Sequence, residues 1–165
     1  MKHQIRKSRN TIRMQSISKN WVKNLTNYGA VPAKSLILKW PNFLPESMES
    51  YFIRGFFEGD GGFCCGKKDK SYTIAITSTK EFLEELSQVI FKRLGVVSRI
   101  YYVSNLGNNT YSLRISRVQD VKLFCDWIYS DNIRLAMERK YKIYQDFLNH
   151  RFPNGKIILY GKERD

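Results

Sequence analysis

Residues 50–63 carry an aromatic run interrupted by Gly55 and Gly59, where a solvent-facing helix would hold alanine or a charge, and they close on Asp60, Gly61 and Gly62. Tyr51, Phe52, Phe56 and Phe57 can form a helix face that packs downward, while the two glycines sit four apart on one side of that helix. A glycine inside a helix costs roughly 1 kcal/mol relative to alanine. Two at this spacing therefore require a packing reason, such as a second helix of the same kind crossing there. The small-x-x-x-small pattern is best known in membranes. A 14-residue segment that holds Arg54, Glu58 and Asp60 is too short and too charged to span one, which places the packing inside a soluble protein.

The helix has to stop at Gly61 and Gly62, so Asp60 falls at its C-terminal end, where the partial negative charge of the last carbonyls disfavours a second anion. A divalent cation held by the carboxylate and an exposed backbone carbonyl, in the oxygen-rich manner of Mg2+, would compensate.

The nine residues Ile53-Arg54-Gly55-Phe56-Phe57-Glu58-Gly59-Asp60-Gly61 resemble the signature of the LAGLIDADG homing endonucleases, with glycine, acid, small residue, acid and glycine all in register. Ile53 and Arg54 depart from the pattern's leucine and alanine, at the end remote from the metal. The resemblance implies that two such helices pack face to face, from two subunits or from two halves of one chain, and that the last acid of each holds metal beside the scissile phosphates. It makes Asp60 the metal-binding catalytic acid, with Gly59 lending a carbonyl, and Gly55 and Gly59 the helix-packing pair. Glu58 is expected to act structurally, through hydrogen bonds at the helix junction. The family carries a basic residue after its third helix, which implies Lys140 as the group that stabilises developing charge or orders the attacking water, with Lys34 as a counterpart. The cofactor implied is Mg2+ or another divalent cation, and the reaction is phosphodiester hydrolysis. The implied partners are double-stranded DNA and a second signature helix, from a homodimer or another LAGLIDADG half. The alternatives are a non-catalytic nucleic-acid-binding module of the same fold, an RNA-splicing maturase or a DNA-binding regulator, or a degenerate half of a two-motif enzyme.

The charge balance agrees. The net charge is +13, from 28 Lys and Arg against 15 Asp and Glu, and such an excess names a partner rather than a fold. Nucleic acid leads, and an anionic membrane is the runner-up. No run of 18 apolar residues exists, so no membrane partner is expected. The start lacks an apolar stretch after its charges and is not a secretory signal. Three cysteines, with Cys64 and Cys65 adjacent, give no disulfide framework. The expected location is intracellular: the cytoplasm of a bacterium or phage host, or an organelle.

Along the chain, residues 9–17 alternate as a strand, and a helix follows that Ser18 caps, with Trp21, Val22, Leu25 and Tyr28 as its buried stripe and Gly29 at its close. After the central helix come strands over 63–68 and 72–78. Ser78 and Glu81 match a capping box, and Phe82, Leu83, Leu86, Val89, Ile90 and Leu94 a helical stripe. A second hairpin spans 99–104 and 110–116. Ser116 and Gln119 cap a helix with Val118, Val121, Cys125 and Ile128 inward, and a last helix runs from about Leu135 to His150 with Ile143 and Phe147 inward. The expected fold is α+β, a LAGLIDADG-like antiparallel β-saddle with helices on one face. Shifted by 99, Asn10, Thr11, Val22 and Lys23 fall on Asn109, Thr110, Val121 and Lys122, and Met14 on Leu113. Residues 1–45 then read as the end of an earlier half, or as an N-terminal extension, 46–151 as the core, and 152–165 as a tail.

Period-two alternation assigns faces to the hairpins. Tyr72, Ile74, Ile76, Ile100, Tyr102, Tyr111, Leu113 and Ile115 should meet the helices. Thr73, Ala75, Thr77, Arg99, Tyr101, Val103, Ser112, Arg114 and Ser116 form the opposite face, a reader for the major groove. Lys67, Lys68, Lys70 and Arg117 are expected on phosphates.

Overall fold

The computed structural model describes residues 2–8, 11–29, 37–66, 71–103, 110–131, 134 and 136–158, with the backbone path alone through residue 16. It divides into two compact units, Met1–Lys34 and Ser35–Asp165.

In the first unit, β1 (Lys2–Ser8) and β2 (Thr11–Ile17) form an antiparallel hairpin. β1 escapes a reading by alternation because Ile5 is the one apolar residue among its seven. Helix α1 (Lys19–Asn27) follows, and the Ser18 hydroxyl accepts the Trp21 N–H at 3.3 Å, as its capping role requires. The expected buried stripe is a correction: Trp21 is 43%, Val22 62%, Leu25 49% and Tyr28 63% exposed. A helix stripe is buried only where another layer covers it.

The second unit begins its regular structure with a 3-10 turn (Glu46–Met48) that leads into α2 (Glu49–Asp60). Then come β3 (Gly61–Cys65), β4 (Tyr72–Ser78), α3 (Lys80–Leu94), β5 (Arg99–Tyr102), β6 (Tyr111–Ile115), α4 (Val118–Ile128) and α5 (Glu138–Arg151). The four strands form one antiparallel sheet in the order β3-β4-β6-β5, with the two hairpins joined through β4 and β6. The architecture is α+β, with helices packed on one face of the sheet.

The core follows the alternation. Ile74, Ile76, Leu113 and Ile115 point into it and meet Phe82, Leu83, Leu86 and Ile90 of α3, Ile53 and Phe57 of α2, Val121, Phe124, Cys125 and Ile128 of α4, and Phe147 of α5. Two residues break the pattern. Tyr102, expected inward, is 55% exposed at the end of β5, and Ser112, expected outward, is buried.

Element ends move by a few residues. β3 starts at Gly61, directly after the helix, and stops at Cys65; the turn residues 67–70 and 104–109 lie outside the described residues. Thr79 rather than Ser78 caps α3: its hydroxyl accepts the Phe82 N–H at 3.3 Å and donates to the Leu38 carbonyl at 2.6 Å, which ties down the incoming chain. Arg117 rather than Ser116 is the N-cap of α4, without a side-chain cap bond. Helix α5 begins at Glu138, and Leu135 lies outside the described residues. Its buried line is Lys140, Tyr144, Phe147 and Arg151, with Ile143 half-buried, because two of the inward positions are basic and hide the stripe from an apolar count.

Candidate functional site

Helix α2 has two unlike sides. Ile53 and Phe57 are buried, and Phe52 and Phe56 lie half-buried against Trp40 and Phe82, with the Phe56 and Phe82 rings 4.4 Å apart. Arg54 is buried as well and donates to the Asp131 carbonyl at 2.6 Å. Tyr51, expected to pack downward, is instead exposed and donates to the Asp131 carboxylate at 3.1 Å. On the outer side Gly55 and Gly59 are exposed, and a Cβ at either would meet nothing within 4 Å.

Asp60 is the last helical residue and is exposed; Gly61 is both the C-cap and the first residue of β3. A Cβ on Gly61 would lie 2.4 Å from the Phe57 ring and 2.8 Å from the Phe57 carbonyl oxygen. Its φ of −97° is open to any residue, so volume rather than conformation calls for glycine here.

The last carbonyls of α2 meet a cation from α5. Lys140, 3% exposed, donates to the Phe57 carbonyl at 2.6 Å, to the Glu58 carbonyl at 2.9 Å and to the Gly61 carbonyl, with its ammonium 5.0 Å from the centre of the Phe57 ring. In return Glu58 accepts the Met137 N–H at 2.7 Å, at the start of α5. Each helix end thus receives the charge that its dipole favours from the other helix. Burial lowers the ammonium's pKa and the Arg139 charge adds to this, while Glu58 and Asp60 oppose it. A positive group therefore sits at the helix end where the sequence calls for one, and for these carbonyls it is Lys140. Lys34 lies outside the described residues.

Among the described residues no three His, Cys, Asp or Glu side chains cluster as a metal site. Asp60 is an exposed carboxylate at the helix end, and Glu58 is engaged. A carboxylate oxygen is a donor of the kind that hard divalent cations such as Mg2+ take.

The sheet's outer face brings together most of the residues expected there. Thr73, Thr77, Arg99, Tyr101, Arg114 and Ser116 share it, and Thr73 donates to the Ser116 hydroxyl at 3.4 Å. Ser112 lies on the same strand but is covered. Arg117 is exposed just beyond β6, where it meets Asp120 at 3.9 Å. Lys67, Lys68 and Lys70 lie outside the described residues.

A glycine-lined helix that ends in a carboxylate and runs straight into an antiparallel sheet with an open polar face defines an α+β unit of one recognisable kind. A family model described as LAGLIDADG-like domain matches residues 47–129, and the chain belongs to the LAGLIDADG family. The chain is 29% identical over 115 residues to the Replication factor C small subunit of Methanocaldococcus jannaschii, across 68% of this chain and 6% of that protein's length. Among solved structures it is similar to mesophilic variants of the homing endonuclease I-DmoI, at 23% identity and a TM-score of 0.54, over 80% of this chain and 64% of that one. It is also similar to full-length DUF199/WhiA from Thermatoga maritima, at 16% identity and a TM-score of 0.49, over 99% and 46% of the two chains. No described helix is long and apolar enough to cross a membrane.

Proposed function

We propose that the chain is one half of a site-specific, metal-dependent DNA endonuclease, and that it acts when a second signature helix packs on α2. The observation that carries this reading is the uncovered side of α2, where Gly55 and Gly59 lead to the exposed carboxylate of Asp60. Two such helices in contact would place two Asp60 carboxylates together, one for each DNA strand, and in a homodimer the target would be a rough palindrome. Mg2+ or another divalent cation, held by Asp60 and the Gly59 carbonyl, would supply an activated water and stabilise charge on the phosphoryl oxygens. Lys140 would hold the helix end, and with it Asp60, in place. The outer sheet face would read the major groove. Cleavage of a plasmid library with Mg2+, together with the mass of the particle in solution, tests this. Asp60→Asn should abolish cleavage and leave DNA binding intact or tighter; unchanged cleavage would eliminate the assignment.

One observation favours a second reading. Lys140 has its protons committed to three carbonyls, and each chain offers one carboxylate at the helix end. A chain so built would suit a binding module, a maturase or a regulator, that holds nucleic acid without cutting it. Sequence-selective binding with no nicking under any divalent cation would decide for it.

A further inference from the structure

Arg99 on β5 and Arg114 on β6 stand directly opposite each other in the antiparallel register, both exposed on the outer face. Like charges directly opposed across strands weaken a sheet. Here no described carboxylate forms an ion pair with either, whereas Arg117, which lines the same groove of about 330 Å3, has Asp120 at 3.9 Å. Among the described residues, then, this pair of guanidinium groups carries no counter-charge.

Their surroundings favour a flat polar edge as the missing partner. Arg114 lies on an inner strand, and the row across the sheet runs Gly62, Ala75, Arg114, Arg99, so two small residues leave room beside the two long ones. The Arg114 guanidinium lies over the Tyr101 ring, 5.4 Å from its centre. A guanidinium held over an aromatic ring in this way still has its N–H fork to offer. A planar fork of this kind matches the O6 and N7 acceptors that guanine presents in the major groove. Neighbouring strands lie about 4.8 Å apart, and stacked bases about 3.4 Å. Two forks on adjacent strands thus reach the same or neighbouring base pairs.

We propose, resting on the DNA-binding reading above, that Arg99 and Arg114 are a specificity-determining pair that reads two guanines in adjacent base pairs, with Tyr101 positioning Arg114. The test is selection of the full chain on duplexes with randomised sequence, followed by affinities for the selected site at several salt concentrations. Wild type should enrich two guanines within two neighbouring base pairs. Arg114→Gln should lose roughly 10- to 100-fold on that site and shift one position toward adenine, which glutamine pairs best. Arg99→Gln should do the same at the other position and raise the melting temperature, because it removes the opposed charge. Tyr101→Leu should blunt the preference at the Arg114 position and keep the salt slope. Uniform weakening on all sequences, with the salt slope falling by about one per arginine, would mark phosphate contacts and overturn the pairing. Binding without any guanine preference overturns the pairing alone; no duplex binding by wild type overturns it together with the DNA-binding reading.

Discussion

Lys140 donates to the backbone carbonyl of Glu58 at 2.9 Å, while the Glu58 side chain accepts the Met137 N–H at 2.7 Å three residues before that lysine. The two residues bind the end of α2 and the start of α5 to each other from both directions. Removing the lysine takes a charged donor from three carbonyls at the end of α2, of which only that of Phe57 is given a second donor, the Gly61 N–H. Lys140→Met should therefore cost about 3 kcal/mol in denaturant unfolding. Glu58→Gln keeps an acceptor oxygen and loses only the charge at the helix start, so about 0.5 kcal/mol is expected.

The two glycines that follow Asp60 should behave differently. Gly61→Ala forces a Cβ against the ring and carbonyl of Phe57 and should lower stability by about 1–3 kcal/mol. At Gly62 a Cβ meets nothing within 4 Å, and Gly62→Ala should stay within about 0.5 kcal/mol of wild type. Urea titration of the two variants side by side checks the contrast.

Gly55→Val separates folding from association. Nothing lies near a Cβ at this position, and valine is a better helix former than glycine, so the protomer should keep its stability or gain about 0.5 kcal/mol. If α2 pairs with a second signature helix, the added methyls hold the helices apart. Sedimentation should then show loss of the paired particle, and cleavage should vanish with it. A variant with wild-type mass and activity would refute pairing through this face.

Acid should loosen the entrance to α2. Glu46 lies 2.7 Å from Arg93 and 3.0 Å from Lys92, and its carboxyl is held down to about 2 by Arg93 first and Lys92 second, while Arg93 also reaches Glu49 at 2.7 Å. A lowered folded-state pKa contributes stability that is complete above the ordinary carboxylate value and is lost as pH falls toward 2. Melting temperatures should show Glu46→Gln below wild type at pH 7, with the gap closing between about pH 4.5 and pH 2. Glu46 and Lys92 are exposed, and the gap should be small.

Most of the sheet and α3 were legible because their signals are local. Alternation placed Ile74, Ile76, Leu113 and Ile115 inward, and the spacing of Phe82, Leu83, Leu86 and Ile90 gave a helix. What escaped depends on partners distant in sequence. Arg54 reads as a surface charge until its bond to Asp131 is seen, 77 residues away, and Lys140 reads as a free base until its carbonyls are seen, 79 to 83 residues away. The stripe of α1 was misjudged for the converse reason, since a period of 3.6 reveals an apolar side but not whether anything lies over it. Even so, 99 added to Lys19 gives 118, the residue at which α4 begins, and both helices follow an antiparallel hairpin. The weak repeat among residues thus coincides with a repeat of elements.

No loop separates Asp60, the last residue of α2, from Gly61, the first of β3. If, as proposed, the sheet reads and Asp60 cuts, this junction would be a ruler: the offset between the bases read and the bond broken would be set by one stretch of backbone without slack. Substitutions on the outer face, at Thr73, Arg99 or Arg114, could then redirect the chain to new sequences while the cut stayed at the same distance. Recognition would then be free to drift while the geometry of the chemistry stayed fixed.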